Sequence, residues 1–263
     1  FHMWVPDVYQ GAPTPITAFL SVASKAAGFA VIIRVFYLAL GELGLEWSMI
    51  FAVLAVLSMT FGNLLAIVQS NIKRMLAYST IAHAGYIMIG LAAVSNRTFG
   101  GSLEGPQGIL FYLAAYALTN LAAFFVIIAV GNKLNSEDID SYSGMGRRSP
   151  LLAALLAIAL ISLTGIPPTV GFWAKIYIFN AAIHADLVWL ATAGVINSVI
   201  SAYYYLRVVK FMYLNPSSTE ENIPTSAPLK VALLATSGGV VIFGIIPGYL
   251  LDFAVHATQG LSN

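Results

Sequence analysis

The chain has no cysteine among its 263 residues. Disulfides, thiolate metal sites and iron–sulfur ligation within it are therefore excluded, and any redox chemistry must sit in a partner. Charge is scarce as well. Only 9% of residues are Asp, Glu, Lys or Arg, against about 25% in a soluble domain. The net charge of +1 comes without a basic stripe, which excludes nucleic acid as an expected partner. No glycine-rich phosphate cradle, nucleophile elbow or carboxylate pair occurs. His2, His184 and His256 lie near ends or loops, without metal-ligand spacing. Neither an initiator methionine nor a signal peptide opens the chain. It begins Phe1-His2-Met3-Trp4 and reads as the interior of a longer protein.

What is present is apolar: 59% of residues are hydrophobic and the mean hydropathy is +0.84. The chain is expected to be an all-α, polytopic transmembrane bundle. Apolar runs of about 20 residues or more mark spans. About seven are predicted, at 14–40, 48–69, 74–94, 107–130, 150–182, 187–214 and 230–251. A Pro/Gly-rich entry loop, 1–13, precedes this transmembrane domain of 14–251, and a tail, 252–263, follows it. The polar stretches 132–149 and 215–228, the latter with Glu220-Glu221, read as exposed loops.

Loop cations set the orientation. The side of the entry loop collects Lys73, Arg74, Lys133, Arg147, Arg148, Lys210 and Lys230, with Arg207 nearby. The opposite side has only Arg34 and Arg97. The entry-loop side is thus expected to be cytoplasmic and the C-terminal tail non-cytoplasmic. No Asp or Glu lies inside any predicted span, and once these cations are sorted two lysines, Lys25 and Lys175, remain inside spans.

Lys175 follows the stretch S-L-T-G-I-P-P-T-V-G-F-W-A-K, Ser162 to Lys175. Proline removes a backbone donor and clashes one turn back, so a discontinuous helix is predicted at Gly165–Pro168, with Pro167-Pro168 as the breakers. Broken backbone at membrane depth persists only where protein or a water-filled cavity surrounds it. Lys25 lies among small residues in S-V-A-S-K-A-A-G-F, roughly 16 Å into the first span at 1.5 Å per residue. A lysine at such depth costs roughly 2.5–3.5 kcal/mol on insertion scales, which marks both as functional candidates. The alternative is snorkelling to the interface. A stem of about 6 Å falls short of headgroups some 15 Å away for Lys25, and is harder to dismiss for Lys175 near the end of its span.

His83 sits mid-span in A-Y-S-T-I-A-H-A-G-Y, with Ser79 and Tyr86 each about one helical turn away on the same face. An unperturbed histidine titrates near 6.5, which suits a proton relay, while a structural hydrogen-bonded histidine is the competing reading. Tyr112, Tyr116 and Asn120 recur every four residues on the fourth span. That stripe reads first as interhelical hydrogen bonding, or else as a wall of the cavity holding His83. Asn197, Ser198, Ser201 and Tyr203–Tyr205 pose the same choice. Lys73-Arg74 reads as an interfacial cationic anchor. A faint internal echo, I-R-V-F-Y-L at 33–38 and L-R-V-V-K-F-M-Y-L at 206–214, hints at repetition.

Three long motifs carry a family resemblance: H-M-W-V-P-D-V-Y-Q-G-A-P-T-P-I-T-A-F-L-S at 2–21, G-N-L-L-A-I-V-Q-S-N-I-K-R-M-L-A-Y-S-T-I-A-H-A-G-Y at 62–86, and L-T-G-I-P-P-T-V-G-F-W-A-K at 163–175. From His2 to about Tyr213 the chain resembles the antiporter-like subunits of respiratory complex I, the proton-pumping NADH:quinone oxidoreductase. The lysine of S-V-A-S-K resembles the subunit N (subunit 2) branch more than the L and M branches. The resemblance implies a fourteen-helix fold built of two inverted five-helix repeats, of which this chain would be the C-terminal half. It implies Lys25 as the central relay lysine, Lys175 as the terminal lysine on the broken helix, and His83 between them. The family's first-half lysine and its glutamate partner would precede Phe1.

The function so implied is proton translocation by a membrane subunit that performs no redox step and binds no NADH directly. FMN, iron–sulfur clusters and quinone are expected in partner subunits, and the partners are other complex I membrane subunits and the lipid bilayer. A bacterial inner membrane is the expected location. Two alternatives stand beside it: a subunit of a multi-subunit sodium/proton antiporter or membrane-bound hydrogenase, and a non-pumping membrane scaffold.

Overall fold

The computed structural model describes residues 2–40, 44–93, 103–217 and 222–261. Phe1, Val94, Arg97, Glu220-Glu221 and the last two residues of the tail lie outside them. Among the described residues the regular structure is helical, and extended backbone pairs only where Asn71 meets Asp138. The helices are α1 Val5–Gly11, α2 Thr14–Phe19, α3 Lys25–Ile33, α4 Gly44–Ile67, α5 Ile72–Ala92, α6 Glu104–Leu134, α7 Met145–Arg148, α8 Pro150–Thr164, α9 Val170–His184, α10 Val188–Leu214, α11 Ala227–Ile245 and α12 Gly248–Thr258. π-Helical turns, Leu20–Ser24 and Arg34–Ala39, join α2 to α3 and extend α3, so 14–39 forms one rod.

Among the described residues, five helical segments are long and apolar enough to cross a membrane: Thr14–Tyr37, Trp47–Ile67, Ile72–Ala92, Glu104–Leu134 and Ala227–Ile245. The other two expected spans differ for physical reasons. The segment 150–182 divides into α8 and α9, each 15 residues long. The 27-residue α10 is diluted by Asn197, Ser198, Ser201 and four tyrosines.

α5 and α6 form the centre. Seventeen residues of α5 are buried, including His83, Ser79 and Tyr86. α4 lies against α5 at close range because Gly62 and Gly85 leave no side chain between them. A Cβ at Gly62 would stand 2.7 Å from the Ala82 nitrogen, and one at Gly85 would stand 2.8 Å from the Ala55 oxygen. The outer face of α4 (Ile50, Val53, Leu57, Phe61) is exposed, as a lipid-facing surface is.

Three expected loop regions are ordered instead. The entry loop contains α1, where Pro6 and Asp7 suit the first turn of a helix. The connection 132–149 is packed on one side: Ile139, Tyr142, Met145 and Arg148 are buried, while Asn132, Lys133, Asn135, Asp138, Asp140 and Arg147 are exposed as expected. A one-pair bridge, Asn71 with Asp138, and a bond from Gly144 N to Phe211 O hold it to α5 and α10. The last expected span stops at Ile245 because Pro247 interrupts it. α12 then restarts at Gly248, so the first half of the expected tail is helical.

Candidate functional site

The broken helix is built by a glycine before it is broken by prolines. Gly165 ends α8 in the left-handed region, φ 88°. Gly165 N donates to Ser162 O at 2.9 Å and Ile166 N to Ile161 O at 3.3 Å, the paired bonds of a Schellman motif. Pro167 and Pro168, joined by a cis bond, then prevent any continuation. Both prolines are exposed, so they act through the break they make. Thr169 Oγ1 donates to Ile166 O at 2.7 Å, and α9 starts at Val170. Gly171 N donates to Ser162 Oγ at 3.2 Å, and a Cβ at Gly171 would strike the Ser162 carbonyl. The half-helices therefore pack past one another. Gly244 of α11 lies directly on Pro168 and Thr169, and its carbonyl accepts from Trp173 Nε1 at 2.8 Å.

Lys175, on the second turn of α9, is 5% exposed. Its ammonium turns back into the break, donating to Thr164 O and to Ser198 Oγ, both at 2.7 Å. It lies 4.8 Å from the centre of the Tyr86 ring. A cation over an aromatic face gains about 2 kcal/mol when desolvated. Gly165 makes the room: a Cβ there would stand 2.8 Å from Lys175 Cδ.

Lys25, half-buried, uses the same two kinds of partner. Its ammonium donates to Thr80 O at 3.0 Å and sits 3.9 Å from the centre of the Tyr116 ring. The hydroxyls of Tyr116 and Thr80 are hydrogen-bonded at 2.7 Å. Lys25 opens α3 directly after the π-turn, a local irregularity frequent at functional sites. A cavity of about 160 Å³ borders it, with Tyr9, Ser24, Ser58 and Thr80 among its walls.

His83 lies between, on α5. Its Nδ1 pairs with the Tyr112 hydroxyl at 2.6 Å and its Nε2 with the Tyr205 hydroxyl at 3.1 Å. The Tyr205 hydroxyl also pairs with Ser79. A hydroxyl donates or accepts, so this pair of partners tolerates either neutral tautomer and the imidazolium. The His83 ring is 5.0 Å from the Tyr116 ring that carries Lys25 and 5.7 Å from the Tyr86 ring beside Lys175. His83 and Lys175 also line one cavity of about 10 Å³, with Tyr112, Thr119 and Ser162. That is room for about one water.

Most of the residues singled out by sequence converge; Lys73-Arg74, the exposed Tyr203 and Asn120 do not. Asn120 pairs not with His83 but with Ser21, donating to its Oγ at 2.6 Å and tying α6 to the helix of Lys25. Two groups gain a place that sequence reasoning had not given them. Tyr205, ambiguous from sequence, is a direct partner of His83. Asn63, fully buried on α4, donates to Tyr86 Oη at 3.4 Å and to Asn197 O at 3.0 Å, and accepts from Tyr204 Oη at 3.0 Å. A lone asparagine in the apolar run G-N-L-L was the available signal. Among the described residues no cluster of three or more His, Asp or Glu could hold a metal.

A polytopic bundle with a half-broken helix and cations set against carbonyls and aromatic rings has the antiporter-like membrane fold. The chain belongs to the family described as NADH:quinone oxidoreductase/Mrp antiporter, TM, which matches residues 1–201. It is 50% identical to the NADH-quinone oxidoreductase subunit N of Dehalococcoides mccartyi, covering 98% of this chain and 54% of that protein. The chain spans about half the length of the curated relatives it matches. A chain in the structure of respiratory complex I from Thermus thermophilus superposes with TM-score 0.80 at 34% identity, over 96% of this chain and 54% of that one. A chain of the archaeal membrane-bound sulfane sulfur reductase superposes with TM-score 0.86 at 29% identity, over 99% and 52%. This is a multi-pass membrane protein.

Proposed function

We propose that this chain is the proton-translocating C-terminal half of subunit N of an NADH:quinone oxidoreductase. The single observation that supports it most is the shared surroundings of Lys25, His83 and Lys175. Two ammonium groups, each on one main-chain carbonyl and one tyrosine ring, flank a histidine bonded through both nitrogens. Lys25 and Lys175 take and release the proton. His83, through Tyr112, Tyr205 and the water-sized cavity, bridges them. Ser79, Tyr86 and Tyr116 orient these three, and Gly165, Pro167 and Pro168 shape the break that supplies Thr164 O. Like charges on the two lysines repel, so protonation of one biases the other. Electron transfer belongs to partner subunits, where FMN, iron–sulfur clusters and quinone are expected. The bilayer is a bacterial inner membrane, with the loop of Lys73 on the cytoplasmic side.

The test is proton pumping by the assembled complex carrying Lys25→Ala or Lys175→Ala. Loss of pumping in both is the expected result, and pumping that survives both substitutions together overturns the relay. A second reading, a subunit of a multi-subunit sodium/proton antiporter, is favoured by the breadth of the family itself, whose description spans both machines. Ion uptake that requires sodium and no quinone would select it.

A further inference from the structure

Lys73 was expected to be a surface anchor, yet it is 2% exposed. Its ammonium meets three acceptors: Gln10 O at 3.2 Å, Ala12 O at 2.8 Å and Glu137 Oε1 at 2.7 Å. An ammonium has three N–H bonds, so its donors are used in full. Glu137 is itself held on several sides. Its second oxygen accepts from Asn71 Nδ2 at 3.2 Å and its main-chain oxygen from Ile72 N at 2.8 Å. Ile139 N returns a bond to Ser70 O at 2.8 Å. Arg74 adds an exposed tie to Asp7 at 2.7 Å and to Gln10 Oε1 at 3.0 Å. Three segments distant in the chain therefore meet on one buried cation: the end of α1, the start of α5 and the connection after α6. Removing the carboxylate strands the ammonium in low dielectric, so the junction is sensitive to single changes.

The segment this junction holds is the wall of the Lys25 cavity. Val5 and Tyr9 of α1, with His2 and Trp4 ahead of it, line that cavity together with Ser58 and Thr80. The same α5 that starts beside Lys73 carries Thr80, the acceptor of Lys25, about two turns on, or roughly 10 Å along the axis. We infer that Lys73 is a positioning residue for the Lys25 end of the relay: with Glu137 it clamps α1 across the cavity and keeps that side closed. This rests on the reading of Lys25 as a relay group only for its functional meaning; the clamp itself is a claim about access.

This chain has no cysteine, so a thiol introduced into it is read by the mass shift of its own peptide. Ser58→Cys, at a position only 6% exposed, places one thiol on the cavity wall in the assembled complex, in membrane vesicles of both orientations, and a membrane-impermeant maleimide reads its access. Adding Lys73→Met or Glu137→Gln is expected to raise labelling at position 58 at least fivefold from one side. Arg74→Ala, which loses only an exposed tie, is expected to raise it less. Glu137→Gln keeps size and an acceptor oxygen, so it decides the matter if Lys73→Met does not assemble. Labelling unchanged in an assembled variant overturns the inference. So does failure of both variants to assemble, since the pair would then serve folding alone. Labelling reports the wall and pumping by Lys25→Ala reports the relay, so either can fail without the other.

Discussion

Lys25 and Lys175 are held by the same device at different densities. Each ammonium rests on one carbonyl and one tyrosine ring. Lys175 adds a serine hydroxyl and faces a space of about 10 Å³, whereas Lys25 has no second hydrogen bond among the described residues and faces about 160 Å³. A glycine is needed beside Lys175, at Gly165. Beside Lys25, a Cβ added at Gly28 would meet nothing within 4 Å. Placement within an apolar helix thus does not determine how a lysine is enclosed; the local backbone does. At Lys175 the chain bends to surround the ammonium, and at Lys25 a separate helix, α1, has to be brought in.

Removing the cations tests this contrast most sharply. Lys25→Ala and Lys175→Ala are each expected to lower pumping by about 10² or more, the scale of a positioned proton-transfer group. Added methylamine should restore part of the pumping in Lys25→Ala and none in Lys175→Ala, because only the first site has room to admit it. Equal rescue would mean that the two enclosures do not differ. Next in size is thiol access: once Glu137→Gln releases α1, Ser58→Cys should label from the cavity and Ala174→Cys should not, as judged by mass shift of the isolated subunit. Gly165→Ala then forces a left-handed backbone on a residue with Cβ, costing about 1–2 kcal/mol, and displaces Lys175 as well. Gly28→Ala gains up to about 1 kcal/mol of helix propensity. Opposite shifts in thermal unfolding of the two variants would sharpen the contrast. Smallest is Tyr116→Phe, which keeps the ring under Lys25 but loses the bond to Thr80, about 0.5–1.5 kcal/mol. Tyr86→Phe should cost less, its hydroxyl bond to Asn63 being long at 3.4 Å.

Features that a single helix carries by itself were legible in the sequence. The break at Gly165–Pro168, the two lysines within apolar helices and the Ser79–His83–Tyr86 face follow from residue type and helical spacing alone. Contacts between helices were not. Spacing cannot say that Tyr205, 122 positions after His83, bonds to its ring, or that Asn120 turns to Ser21 while Tyr116 turns to Lys25. Lys73 misled for the same reason. Composition near a span end favours an exposed anchor, and the acid that buries it is 64 positions away in a stretch that reads as a polar loop. The entry segment carries prolines, Asp7 and Gln10, which read as a loop until Lys73 ties down the end of α1.

The Schellman turn at Gly165 has one more consequence. It leaves the Thr164 carbonyl at the C-terminus of α8, where the summed peptide dipoles place roughly half a negative charge. Lys175 thus has a counter-charge made of backbone. A carboxylate in that position would compete for the proton and could trap it as a neutral acid. A carbonyl attracts the ammonium but is far too weak a base to take the proton in its place. In the proposed relay, a proton leaving Lys175 would find no resting place on its own counter-charge and would have to go onward.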